Sequence, residues 1–357
     1  MTVDTGSRAG GGAGAGGPHP VVAITGVGGF LGRAFARHHA ARGAVVRGLD
    51  LPSVAAADPG LAAELEATGP GGGLVVGDVT AESDVRQLVA GADLVLHTAA
   101  IVAESGSWVA FDRVNAVAPR TVALAAREAG AASYVHLSSV MVHGFSFPEG
   151  CAEDGPLDPA SNPYCASKIR SEYLLRDLHD PGTFDVYVVR PGDVYGPGSV
   201  PWVRRPVEHM RNGTFLYVDP RDAVLNHVYV DNLVDAVDAL LAAGGAVAGG
   251  RPWIVTDGPR TLSREFWGRF AELAGLRWAP SLPGWLAEPL VGSVAAVLPQ
   301  SWARALDLDR QTIRYLRRRA AYSSAAIRSL GWQPRVDLDE GIERTAAWLR
   351  TEGLLPG

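Results

Sequence analysis

From residue 21 onward, short apolar runs alternate with longer stretches in which apolar residues recur at helical spacing. Val21-Val22-Ala23-Ile24-Thr25 is an unbroken apolar run, as a strand buried on both faces requires. The same pattern predicts strands over 44–50, 74–79, 93–100, 134–137, 185–190 and 253–256. Helical stretches are predicted after Gly32, over 81–91 and over 108–129 with Pro119 bending it, and 227–241 is expected to return to the sheet domain. Strand and helix alternating in this way predict an α/β fold, a doubly wound parallel sheet of Rossmann type. A smaller, mostly helical C-terminal substrate domain is expected beside it. The pattern divides the chain into a Gly/Ala tail over 1–19, a sheet domain over 20–192 and 226–258, and a cap over 193–225 and 259–357. In the cap the last stretch, 336–357, is amphipathic, with Ile342, Ala346 and Leu349 on one face.

Composition changes the picture little. A chain of 357 residues with 47% hydrophobic and 20% charged residues fits a globular protein with a large core. A net charge of −6 lacks the basic footprint of a nucleic-acid binder, so no nucleic-acid partner is expected. Cys151 and Cys165 have no metal-ligand spacing, so neither a metal site nor a disulfide framework is expected, and a reducing, cytoplasmic setting fits. The tail lacks the apolar core of a signal peptide. In the cap, 282–299 is strongly apolar, with Trp285, Leu286, Leu290, Val291 and Val294, but Glu288 and Pro289 argue against a spanning helix. It reads as a wall of a substrate pocket or as a peripheral membrane contact, with the arginines at 310–319 as a solvated basic face or as partners for lipid headgroups.

Chemistry enters at three places. After the first strand, Gly26-Val27-Gly28-Gly29-Phe30-Leu31-Gly32 leads directly into a helix. Glycines at 26, 29 and 32 permit a tight turn, close approach to a pyrophosphate, and packing of helix on strand, while the helix N-terminus offers N–H groups to phosphates. Asp50 ends the second strand 18 residues after Gly32, where an acid can accept from a ribose 2′-hydroxyl. That acid would repel a 2′-phosphate, so NAD is expected over NADP. Asp78 at the end of the third strand is placed toward the adenine, and Ala99-Ala100 after the fourth toward the nicotinamide. Finally, Tyr164 and Lys168 stand at i and i+4 on a helix opened by Ser161-Asn162-Pro163, and Lys168 is the only lysine in the chain. An ammonium beside a phenol favours the phenolate and tunes it for proton transfer.

These stretches together resemble the extended short-chain dehydrogenase/reductases, the group holding 3β-hydroxysteroid dehydrogenases and nucleotide-sugar epimerases. The resemblance is carried by TGxxGxxG at Thr25–Gly32, GDV at Gly77–Val79, HxAA at His97–Ala100, and SSxxVxG at Ser138–Gly144 with His143 where Tyr is more common. It continues through YxxxK at Tyr164–Lys168, RPxxVYGPG at Arg190–Gly198, the His227–Asn232 element and Leu330-Gly331-Trp332, and so spans roughly residues 20–350. It implies Ser139, Tyr164 and Lys168 as catalytic residues. It also implies cofactor contacts from Gly26, Gly29, Phe30, Leu31, Gly32, Asp50, Asp78, Val79, Thr98, Ala99, Ala100, Asn115, Tyr164, Lys168, Pro191 and Val194. A homodimer through helices that include the Tyr164 helix is a further implication.

The expected activity is therefore NAD-dependent interconversion of a secondary alcohol and a ketone. Within the family the 3β-hydroxysteroid dehydrogenase-like branch is the nearest in character, and a hydrophobic, sterol-like substrate is the first expectation. Ala223 and Asp193 stand where nucleotide-sugar members place an Arg and an Asn. The alternatives are a nucleotide-sugar epimerase or dehydratase, in which Arg204, Arg205 or Arg221 would take up the diphosphate, a reductase of aromatic or polyketide-like ketones, and a cofactor-binding regulator without turnover.

Overall fold

The computed structural model describes residues 19–103, 106–219, 223–258, 260–276, 278–287, 289–290 and 310–356. Seven strands form one parallel sheet: β1 (Val21–Thr25), β2 (Val45–Asp50), β3 (Gly73–Val76), β4 (Leu94–His97), β5 (Ser133–Leu137), β6 (Asp185–Pro191) and β7 (Pro252–Val255). Their order across the sheet is β7-β6-β5-β4-β1-β2-β3, so the direction of winding reverses between β1 and β4. Ligands of such sheets bind at that reversal, beyond the carboxyl ends of the strands.

Both faces are covered, which is why the strands read as unbroken apolar runs. Alternate residues of a strand point to opposite faces. Val22 and Ile24 pack with Phe35, Val189 and Trp253 on one side, whereas Ala23 packs with Val85, Leu88 and Val122 on the other. The amphipathic C-terminal helix Leu338–Thr351 completes the first of these cores with Ile342, Ala346 and Leu349. Its N-cap is Asp337, whose carboxylate accepts from the Glu340 N–H.

The segment over 108–129 is helical but not uniform. Regular turns over Trp108–Phe111 and Ala118–Glu128 flank a wide, π-type turn over Asp112–Val117. Pro119 has no N–H to give to the preceding turn and its ring crowds that turn, so the chain widens just before it instead of kinking.

Beyond the sheet, short strand pairs join Asp193–Tyr195 to His227–Tyr229, Val224–Leu225 to Thr261–Leu262, and Tyr217–Val218 to Ser281–Leu282. The helices Arg205–Arg211 and Ser263–Leu273 lie in the same region. Of the apolar stretch 282–299, residues 288 and 291–299 lie outside the described residues, and so does most of the expected pocket-wall or membrane-facing segment. Among the described residues no helix is long and apolar enough to cross a membrane.

The expectation of a solvated basic face over 310–319 needs correction at Arg318, which is 2% exposed. Its guanidinium lies against the Tyr315 ring and donates through Nη2 to both oxygens of the buried Asp193, at 3.0 and 2.8 Å. A carboxylate as enclosed as Asp193 needs a cation, and Arg318 supplies it.

Candidate active site

At the carboxyl edge of the sheet, a cavity of about 510 Å³ runs from the glycine turn after β1, past the ends of β5 and β6, to an aromatic wall. Its cofactor end is shaped by close approach. Gly26 has φ +68°, and a Cβ there would stand 2.9 Å from the Ala99 backbone. A Cβ on Gly32 would stand 2.1 Å from the Gly26 carbonyl oxygen. With both positions bare, the helix Phe30–Ala41 starts directly on the strand end, and no side chain caps its N-terminus. Gly29, Phe30, Leu31 and Gly32 line the cavity there, so the first-turn N–H groups and the positive end of the helix dipole are available to phosphates. Asp50 closes the other side of the turn by accepting from the Gly28 and Leu51 N–H groups, each at 2.8 Å. A carboxylate has further lone pairs, which leaves it able to accept from a sugar hydroxyl. These residues fit a dinucleotide.

Around the middle of the cavity stand Ser139, Tyr164 and Lys168. Asn162 caps the helix Pro163–Leu175 by accepting from the Cys165 N–H at 2.8 Å, which fixes where Tyr164 begins its turn. One turn on, the Lys168 ammonium lies 5.7 Å from the Tyr164 ring centroid and donates to the Leu137 carbonyl at 2.7 Å. Burial pushes its pKa down to about 8, and the Glu172 carboxylate acts in the opposite direction. Ser139 is the second residue beyond β5 and accepts from the Met141 N–H at 3.1 Å.

The cavity brings together Gly26, Gly29, Phe30, Leu31, Gly32, Thr98, Ala100, Ser139, Tyr164, Lys168, Pro191 and Val194 of the expected residues. Asp50, Asp78, Val79, Ala99 and Asn115 are not among its lining. Asp78 accepts from the Thr80 N–H at 2.8 Å, and that bond holds its carboxyl below the usual range. Ala99 lies with its N–H 3.3 Å from the Thr25 hydroxyl oxygen. The Val79 side chain is buried with Val85 and Leu88. Asn115 is fully buried and joins the Ile101 N–H and carbonyl to the Ser167 hydroxyl, which ties the loop after β4 to the Tyr164 helix. Motif reading missed the far wall, built from Trp202, Phe215, Tyr217, Trp267, Ile313 and Tyr315. These residues come from four separate segments with no common spacing; the density of aromatics after residue 200 was the sole signal.

The family model for the NAD dependent epimerase/dehydratase family matches residues 22–255. The chain belongs to that family. NAD is the family's cofactor, and the family's members are enzymes. A UDP-glucose 4-epimerase of Mycolicibacterium smegmatis is 32% identical over 92% of this chain and 98% of its own length. A 2-alkyl-3-oxoalkanoate reductase of Stenotrophomonas maltophilia is 28% identical over 91% and 98%. The crystal structure of a dTDP-glucose 4,6-dehydratase from Streptomyces venezuelae, with NAD and TYD bound, superposes with a TM-score of 0.70 at 24% identity, over 93% of this chain and 97% of that one. The 32% identical relative is named for nucleotide-sugar chemistry, and none of these proteins is named for a steroid. They favour the second expectation from sequence over the sterol-like first, and the 3β-hydroxysteroid dehydrogenase branch gains no specific support.

Proposed function

We propose that this family member interconverts a secondary alcohol and a ketone on a largely apolar substrate, such as an alkyl- or aryl-substituted ketone. The observation that carries this reading is the union of two halves in one cavity, a dinucleotide end and an aromatic end, with Ser139, Tyr164 and Lys168 between them. Behind the aromatic end, the Arg318 guanidinium is already neutralised by Asp193, which disfavours its use on a diphosphate. The 2-alkyl-3-oxoalkanoate reductase relative is in keeping with this reading.

In it, a dinucleotide held at the glycine turn by Gly29, Phe30, Leu31 and Gly32 would supply hydride-transfer chemistry. Tyr164 returns a proton to the carbonyl oxygen, or takes one from the hydroxyl. Lys168, held as an ammonium by the Leu137 carbonyl and Glu172, favours the phenolate form. The Ser139 hydroxyl donates to the reacting oxygen as charge develops on it. Asp50 favours NAD over NADP by accepting from a 2′-hydroxyl.

A second reading, nucleotide-sugar epimerisation or dehydration, is favoured by the 32% identical relative and by Arg205 in the cavity lining. One experiment separates them: NADH or NADPH consumption with 2-alkyl-3-oxo acids, aryl ketones and sterones, beside incubation with UDP- and dTDP-sugars. NADH-dependent reduction of apolar ketones is expected, with sugar nucleotides recovered unchanged. Epimerised or dehydrated sugar would replace this reading with the second.

The chain is further proposed to pair with a second copy. Trp108, Val109, Val117 and Tyr173 are 41–77% exposed on the neighbouring helical segments 108–117 and 163–175, an apolar surface that fits a partner face.

A further inference from the structure

A charged cluster lies directly behind the proposed catalytic residues. Glu172 follows Lys168 by one helical turn, and Arg190 is the last residue but one of β6. Arg190 grips Glu172 on both oxygens, Nε to Oε1 at 2.9 Å and Nη2 to Oε2 at 2.6 Å, with the two side chains 3% and 12% exposed. The Ser138 hydroxyl also donates to Glu172 Oε1. The third Arg190 nitrogen, Nη1, donates to the Glu153 carbonyl at 2.8 Å and to His143 Nε2 at 3.2 Å. A guanidinium only donates, so Nε2 is the acceptor and Nδ1 carries the ring proton, which it gives to the Pro156 carbonyl at 2.8 Å. Burial holds His143 below its usual pKa, in keeping with this neutral form.

A buried ion pair is weak evidence of stabilisation, because well-packed apolar residues often serve as well. What this one holds is more telling. Leu137, Ser138 and Ser139 are consecutive: the first accepts from Lys168, the second donates to Glu172, and the third faces the cavity.

We propose that Glu172 is a positioning residue for this site. Pinned by Arg190, it fixes Ser138 and thereby the Leu137 carbonyl and Ser139 hydroxyl on either side, and it supplies the negative field that keeps Lys168 an ammonium. The inference rests on the reading of Tyr164 and Lys168 as the proton-transfer pair. The other titratable groups around Lys168 do not supply that field. His97 on β4 and His136 on β5 are held neutral by burial, and Tyr164 lies on the same helix. Arg190 on β6 is spent on Glu172.

The single lysine makes the test direct, since lysine labelled with ¹³C at Cε gives one side-chain resonance from the whole chain. In Glu172→Gln the Lys168 titration is expected to move down by about half a pH unit or more. The alkaline limb of the kcat profile should move with it, while NAD affinity by calorimetry stays put. Ser138→Ala keeps the Glu172–Arg190 pair and guards against a folding defect. It should move the Lys168 titration less than Glu172→Gln does, and lower kcat about tenfold at unchanged KM. A wild-type Lys168 titration in folded Glu172→Gln, or wild-type kcat in Ser138→Ala, overturns the proposal. Turnover surviving in Tyr164→Phe would instead remove the functional reading beneath it.

Discussion

His97 and His136 lie face to face across β4 and β5, with ring centroids 5.7 Å apart. Among the described residues each makes one hydrogen bond, His97 Nδ1 with Thr25 at 3.0 Å and His136 Nε2 with Ser171 at 2.8 Å, and the other nitrogen of each has no partner there. Burial is the main cause of their low pKa, with the Lys168 ammonium second; His97 is lowered to about 3 and His136 well below its ordinary value. Below pH 6.5 the unfolded chain takes up protons that these rings refuse when folded, so stability must fall as pH drops from 6.5 toward 3. The slope has an upper bound of about 1.4 kcal/mol per pH unit for each ring. Urea unfolding is expected to show lower stability at pH 5 than at pH 7, and His136→Asn should flatten the difference. An unchanged slope in that variant would assign the acid sensitivity elsewhere. Motif position alone marked His97, as the first residue of HxAA, but not its burial against a second histidine. Tyr164 and Lys168 were legible because both sit on one helix turn. The Asp193–Arg318 pair was not, because it joins residues 125 apart through packing.

The glycine turn is the element whose sequence said most about its shape. Strand before, helix after and glycines at fixed spacing allow one close-packed arrangement, and a Cβ on Gly26 or Gly32 would collide with backbone. Backbone cannot yield as a flexible side chain can. Gly32→Ala is therefore expected to push the helix Phe30–Ala41 off β1 and weaken NAD binding at least tenfold by calorimetry, while most of the sheet remains. Wild-type affinity would mean that the turn absorbs the methyl group. The helix over 108–129 was legible as a helix, and Pro119 as a disturbance in it. Its wide turn was not, since a widened turn and a kink both satisfy a proline. That choice matters locally, because it sets the position of Asn115 and so of the Ile101 loop.

At the scale of the molecule, the strand–helix alternation and the parallel, doubly wound class of the sheet were readable from the apolar runs, whereas the strand order and the split of the core between the two faces came only with the structure. The substrate end was not readable either, because two-residue strand pairs such as Tyr217–Val218 with Ser281–Leu282 carry no periodicity. The apolar surface on 108–117 and 163–175 belongs to this scale too. Light scattering is expected to report a dimer, and Val109→Asp with Tyr173→Asp should yield monomer without loss of helix content. Monomer in the unaltered protein would leave those side chains to another partner. The strand order has one more consequence, for the chain as it is being made. The first five strands can pair once residue 137 is available, but β6 gains its outer neighbour only when β7 arrives, about 60 residues after Pro191. At common rates of synthesis that interval lasts roughly 3–12 s, during which the edge of β6 is an open template for any extended strand nearby. The nascent protein passes through a period of exposure to aggregation that the finished one does not have, which favours slow, cool expression and chaperone cover at that length.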